Sequence, residues 1–195
     1  MDPYWLGMVL LVVLCLVAPV GRRVVHARAL RSLGLPGASV RPSFWRLGRV
    51  RIHRPEWDAE VRFGLPGEFG GGQRGHLKWS ARLHGPTGSL RFLIPGPGAD
   101  AADGELVRIG DPEFERLYVV RGDLSFAVRL MIRATRELLV KLAAMDGRLW
   151  TIHEGTVEMT GPFLLKAGKL KEFLELAVEL QDRIAAASRP AEAAR

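Results

Sequence analysis

Apolar positions change their spacing along this chain. They are unbroken at first, then alternate, then return every third or fourth residue, with a short alternating stretch before a final helical one. The unbroken run, Leu6 to Val20, carries no charge. A helix over 4–20 would span roughly 25 Å, just under a typical hydrocarbon core. Tyr4 and Trp5 suit one membrane interface, and Arg22 and Arg23 can snorkel at the other. A cleaved signal peptide needs positive charge ahead of the run, where only Asp2 stands. Ala27-Arg28-Ala29 imitates a cleavage site but lies well past the run, and Cys15 follows Leu14 where lipid attachment favours a small residue. The expectation is a single transmembrane helix.

Alternation follows. Ala59 to Phe63 is a short alternating run, and His76 to Leu83 places Leu77, Trp79, Ala81 and Leu83 on one face. Gly88 to Ile94 follows a Gly85-Pro86 turn, and Leu106–Ile109 and Leu117–Val120 complete the set. Such runs, punctuated by Gly and Pro, predict half-buried antiparallel strands.

From Leu124 to Met145 the period becomes helical. Ala127, Leu130, Met131, Ala134, Leu138, Leu142 and Met145 share one face, with Arg129, Arg133 and Arg136 opposite. Asp123 or Ser125 would cap the start. A hairpin then pairs His153 with Thr156 across Glu154-Gly155; counting back places Ile152 opposite Val157 and Trp150 opposite Met159 on the buried side. A last helix runs from about Lys169 to Ala187, with Leu170, Phe173, Leu174, Ala177 and Ile184 as its buried stripe and Gln181 interrupting it. The sum is an α+β fold: an antiparallel sheet, made of an N-terminal meander and a C-terminal hairpin, with two helices packed on one face, preceded by a single transmembrane helix. The domains are then 4–20, transmembrane helix; 21–57, basic juxtamembrane segment; 58–187, α+β domain; 188–195, disordered tail.

Charge orients this plan. Between Arg22 and Arg54 stand nine arginines and no acidic residue, and the remainder of the chain nearly balances, so the formal net charge of +7 sits beside the anchor. Basic residues next to a span stay on the cytoplasmic side. The expected location is the cell (inner) membrane, single-pass, with the C-terminal domain cytoplasmic. Arg22, Arg23, Arg28 and Arg31 are the residues expected to meet anionic lipid headgroups, at roughly 1 kcal/mol each. Spread through Pro/Gly-containing sequence, these arginines do not point to nucleic acid.

Motifs for chemistry are few. Gly70-Gly-Gly72-Gln-Arg-Gly75 matches a dinucleotide fingerprint by letter, but an alternating strand follows where a helix is needed. The five histidines lack zinc-ligand spacing, the single cysteine excludes an internal disulfide, and Ser80 and Ser125 have no evident base. No cofactor or metal is expected. The densest acidic cluster, Asp111, Glu113 and Glu115 followed by Asp123, has the residue types for acid–base work or metal holding, although Asp-Pro after glycine is also an ordinary turn.

That stretch carries a resemblance. Gly110-Asp111-Pro112-Glu113-Phe114-Glu115-Arg116-Leu117-Tyr118-Val119-Val120, then Gly122-Asp123 and Arg136-Glu137-Leu138-Leu139, resembles a pattern in uncharacterised bacterial membrane-anchored proteins. In them an acidic-Pro-x-Phe-acidic segment leads into an aromatic-x-Val strand, and a helix, a strand pair and a final helix follow. It covers about Leu106 to Ile184 and implies a fold but no activity, such families being domains of unknown function. This chain has one N-terminal span where many of those proteins carry a pair. The expected function is a non-catalytic binding or scaffold module, held at the membrane and recruiting an unidentified protein partner. The alternative is a membrane-tethered enzyme built on Asp111, Glu113, Glu115 and Asp123.

Overall fold

The computed structural model describes residues 38–41, 49–64, 76–100, 102–162 and 167–189. The run at 4–20, the arginines 22, 23, 28 and 31, the glycine-rich 70–75 and the tail from 190 lie outside them. Among the described residues no helix is long and apolar enough to cross a membrane.

Among the described residues nine strands form one sheet: β1 (Ala38–Arg41), β2 (Arg49–His53), β3 (Trp57–Gly64), β4 (His76–Leu83), β5 (Leu90–Leu93), β6 (Leu106–Val107), β7 (Val119–Gly122), β8 (Arg148–His153) and β9 (Thr156–Pro162). Two single-turn helices, α1 (Pro97–Asp100) and α2 (Pro112–Glu115), interrupt the strands; α3 (Leu124–Leu130), α4 (Arg133–Ala144) and α5 (Ala167–Ser188) are longer. The spatial order is β1-β2-β3-β4-β9-β8-β5-β7-β6, and every neighbouring pair is antiparallel. The architecture is therefore α+β, as the alternation predicts. The C-terminal hairpin does not extend the meander, however; it is inserted at mid-sheet between β4 and β5. Two strands, β1 and β2, begin the sheet within the stretch 21–57 read from charge as a juxtamembrane segment.

Alternate residues of each strand fill one core. Val50 and Ile52 of β2, Trp57, Ala59 and Val61 of β3, and Leu77, Trp79 and Ala81 of β4 are all buried on the same side. Burying one such aliphatic or aromatic side chain contributes about 1.5–3 kcal/mol. Helix α5 lies against this side. Its Phe173 ring rests on two glycines: a Cβ at Gly161 would stand 2.4 Å from it and one at Gly147 2.7 Å. The Trp57 indole, 6.1 Å from the Trp79 ring, donates to Asp182 of α5 at 2.8 Å. The predicted stripe of α5 is buried throughout, and Gln181, which interrupts it, is buried with it.

Two details depart from the predicted pattern. The helix expected over 124–145 is two helices, because Ile132 is extended (φ −61°, ψ 158°). The break leaves the Met131 carbonyl to accept from Arg136 Nη1 at 3.0 Å, while Arg136 Nε reaches Asp111 at 2.9 Å. The second departure is in β8, where a bulge lies between Leu149 and Thr151. Leu149, not Trp150, opposes Met159 and is buried. One extra residue reverses the phase of the strand. Trp150 therefore faces away from the core, and its indole donates to Thr160 Oγ1 at 2.7 Å. The turn itself is as predicted: His153 pairs with Thr156, and Glu154 and Gly155 both take positive φ, 46° and 76°, as a tight type I′ connection requires.

Gly122 ends β7 at φ +130°, where a Cβ would lie 2.2 Å from the Ser89 carbonyl oxygen. That oxygen already accepts from the Asp123 N–H at 2.9 Å. Gly122→Ala is expected to cost about 2–3 kcal/mol. Chemical denaturation checks this; an unchanged midpoint would show that the β5–β7 junction has room to relax.

Candidate functional site

The described helices cover one side of the sheet. Side chains on the other side of β2, β3, β4 and β9 are exposed or half-exposed, and the strand registers arrange them in transverse rows. The central row runs Ser39, Arg51, Glu60, Ser80, Glu158, Thr151, Arg91. At one end the row is His53, Asp58, Arg82, Thr156, His153. At the other it is Arg49, Arg62, Lys78, Thr160, with no carboxylate. Across β2, β3, β4, β9 and β5 this face carries six cations, Arg49, Arg51, Arg62, Lys78, Arg82 and Arg91, against three carboxylates, Asp58, Glu60 and Glu158. Farther along, Arg121 of β7 donates to the Ala99 and Gly104 carbonyls, so the α1 loop lies over that end.

Glu60 sits beneath the basic row. Arg49 approaches it at 3.5 Å and Arg51 at 3.2 Å, and Arg62 Nε donates to it as well. Burial alone would raise the Glu60 pKa; the Arg62 hydrogen bond, the charges of Arg62 and Arg49 and the Arg51 hydrogen bond together hold it below the usual carboxylate value. One carboxylate thus organises three guanidinium groups and leaves a surplus of positive charge. Lys78 pairs with Glu158 at 2.9 Å. Trp150 is 37% exposed beside this row, on the far side of Thr160.

The opposite row gathers histidines. His53 Nδ1 donates to Asp58 Oδ1 at 2.6 Å, and His84 Nε2 donates to Asp58 Oδ2 at 3.0 Å. His84 Nδ1 faces the Pro55 carbonyl at 2.9 Å. Both nitrogens of His84 therefore meet acceptors, an arrangement that only the imidazolium satisfies. The Pro55 bond, then the Asp58 bond, raise the His84 pKa above 6.5. Asp58 is held below 3.8 chiefly by the hydrogen bond from His53, then by that from His84. The ring staples the β2–β3 turn to the end of β4. Beside it a cavity of about 290 Å³ lies between Pro55, Leu83 and Ala185, with the Glu56–Arg189 ion pair, 2.8 Å, at its wall. A further histidine contact joins Ser89 Oγ to His153 Nδ1 at 3.0 Å, both standing at the edge of the same end of the sheet. Among the described residues no three His, Cys, Asp or Glu side chains stand where they could share a metal ion.

The acidic residues singled out from sequence hold their own backbone. Asp111 caps α2 by accepting from the Phe114 N–H, and its other oxygen accepts from Arg136. Its pKa is lowered, mainly by the Phe114 N–H and further by Arg136. Glu115 accepts from the Ile109 and Gly110 N–H groups at 3.0 and 2.9 Å. Asp123 caps α3 through the Phe126 N–H at 3.0 Å and accepts from Ser125 Oγ at 2.7 Å; these two bonds, in that order, lower its pKa. Glu113 is exposed. The structure thus joins Asp111 to Arg136 and Asp123 to Ser125. Sequence reasoning missed the basic row, the pairing of His53 and His84 on Asp58, and Ser89 against His153. Their only sequence signal is that they fall on the polar positions of alternating strands or, for His84 and Ser89, in the connection between β4 and β5.

Compared with protein-family models, with curated proteins and with solved structures, the chain finds no match. What fold and site define is a two-layer α+β domain with one sheet face that no described helix covers, basic at one end and rich in histidine at the other.

The His84 staple ties stability to pH. A raised histidine pKa contributes stability that is fully present below 6.5 and fades as pH rises through the raised value. The lowered Asp58 pKa contributes stability that fades at the acid end, as pH falls through a value below 3.8. His84→Ala should therefore cost more at about pH 5.5 than at about pH 9. Denaturant midpoints of both proteins at the two pH values check this; an equal loss at each would mean the ring works by packing alone.

Proposed function

We propose that this chain is a single-pass membrane protein whose cytoplasmic α+β domain is a non-catalytic binding module, with the uncovered sheet face as its binding surface. The observation that carries the reading is the row Arg49, Arg62, Lys78 on three adjacent strands. Like charges directly opposite one another destabilise a sheet, by a few tenths to about 1 kcal/mol per pair. The ion pairs around them return little, since exposed pairs contribute about 0–1 kcal/mol. A row that costs the fold and has no carboxylate of its own suits an anionic partner. The commitment of Asp111, Glu115 and Asp123 to backbone N–H groups favours this reading over an enzyme built on those carboxylates. The charge-free run at 4–20, followed by Arg22 and Arg23, supports the anchor and its orientation.

Replacing Arg49, Arg62 and Lys78 together with threonine, a good strand former, is expected to leave the thermal midpoint unchanged or to raise it while weakening retention of anionic partners. A marked fall in the midpoint would make the three cations structural and remove the reason to call the face a binding surface.

Orientation has its own test. In a Cys15→Ser background, Ser125→Cys should react with a membrane-impermeant maleimide only after cells are permeabilised, and the chain should resist alkaline extraction. Labelling of intact cells, or recovery of a clipped chain in the medium, would overturn the topology.

A further inference from the structure

We infer that the partner of the basic sheet face is the anionic phospholipid surface of the bilayer itself, so that the domain lies against the membrane with its helices outward. The inference rests on the tether proposed above and adds which face meets the lipid. Three observations carry it.

The first is charge. The row Arg49, Arg62, Lys78 has no carboxylate, and in the next row Arg51 stands directly opposite Glu60. Cations spaced one strand apart on an open face match a continuous layer of phosphate groups better than a single small anion, which would engage one or two of them and leave the rest repelling. On α4 and α5, Arg133, Lys171 and Arg183 each have a carboxylate of their own one turn away, Glu137, Glu175 and Glu179, whereas on the sheet face Arg49, Arg51 and Arg62 share the single carboxylate of Glu60.

The second is Trp150. The bulge in β8 turns this indole out of the core and onto the same face, where it is 37% exposed and tied to Thr160. A ring with an apolar body and a polar N–H suits the headgroup layer.

The third is reach. Residues 21–37 separate the apolar run from β1. Fully extended they span at most about 60 Å, so the domain never leaves the neighbourhood of the bilayer. A surface held that close needs only weak contacts to stay down, because tethering makes the second contact intramolecular.

The experiment uses the full chain with Cys15→Ser, reconstituted into vesicles of phosphatidylcholine alone or of phosphatidylcholine mixed with phosphatidylglycerol. Ser80→Cys reports the sheet face, since Ser80 lies in its central row. Glu175→Cys, on the exposed side of α5, reports domains on the vesicle exterior. With a water-soluble maleimide, Cys at 80 is expected to react about tenfold more slowly in the anionic vesicles, and Cys at 175 at one rate in both. Threonine at 49, 62 and 78 should abolish the protection. Equal reactivity at 80 in the two vesicle types overturns the inference. Protection at 80 by polyuridylate added to the phosphatidylcholine vesicles, with none from phosphatidylglycerol, assigns the face to nucleic acid and overturns it too. The tether is read separately, by resistance to alkaline extraction from phosphatidylcholine vesicles. A chain that washes off those vesicles yet is protected at 80 by phosphatidylglycerol loses its anchor and keeps the face.

Discussion

Among the described residues one sheet face has helices and the other has none, and most of the structure described follows from that imbalance. A sheet of nine strands needs a long apolar partner to bury even one side. Helix α5, with 22 residues, is the longest element among the described residues, and it is seated by contacts of three kinds. Phe173 fills the space that Gly161 and Gly147 leave by having no side chain. Asp182 accepts the Trp57 indole N–H. Leu174, Ala177 and Ile184 complete the apolar stripe over the strands. These contacts join the last element of the chain to β3 and to the hairpin β8–β9. The sheet and its cover are therefore made by residues far apart in sequence.

Inserting the hairpin at mid-sheet follows from the same requirement. Val157 and Met159 of β9 oppose Ala81 and Trp79 of β4, all buried. Leu149 and Ile152 of β8 continue that layer toward Leu90 and Phe92 of β5. A strand with apolar residues to match on both neighbours gains more at the centre of a sheet than at its edge. The edges are left to β1 and to the two-residue β6, and short edge strands offer little to pair with another chain.

Local signals carried local structure well. The alternation over 76–83 names β4 to the residue, because a half-buried strand imposes a period of two on its side chains. The stripe from Leu170 to Ile184 names α5 within a few residues, and Glu154-Gly155 names the turn with its register. What could not be read came from elsewhere in space. Nothing in Arg148–His153 marks the bulge that turns Trp150 outward; it reflects how β8 meets β9 and β5 together. The break at Ile132 occurs without proline or glycine, beside a carbonyl that accepts from Arg136. Asp123 was legible as a cap and Asp111 as a turn residue, since a carboxylate three residues ahead of an N–H needs no tertiary context. The basic row was not, because Arg49, Arg62 and Lys78 lie 13 and 16 residues apart in sequence and become neighbours only through strand register.

Register also explains why that row is informative where a charge count is not. The stretch 22–54 stands out as basic in sequence, yet its Arg49 and Arg51 are sheet residues, placed at fixed positions by pairing with Arg62 and Glu60. A solvated segment spreads its charges and lowers their mutual repulsion by moving. A strand cannot. Glu60, shared among Arg49, Arg51 and Arg62, relieves part of the strain but cannot neutralise three guanidinium groups. Threonine or serine would serve those outward positions at no electrostatic cost, as Ser80, Thr151 and Thr160 do on neighbouring strands. Fixed like charge on a rigid surface, offset only in part by Glu60 and Glu158 and set next to an indole turned out by a bulge, is the place in this domain where local electrostatics and the fold agree least, and it is on that disagreement that the proposed binding face rests.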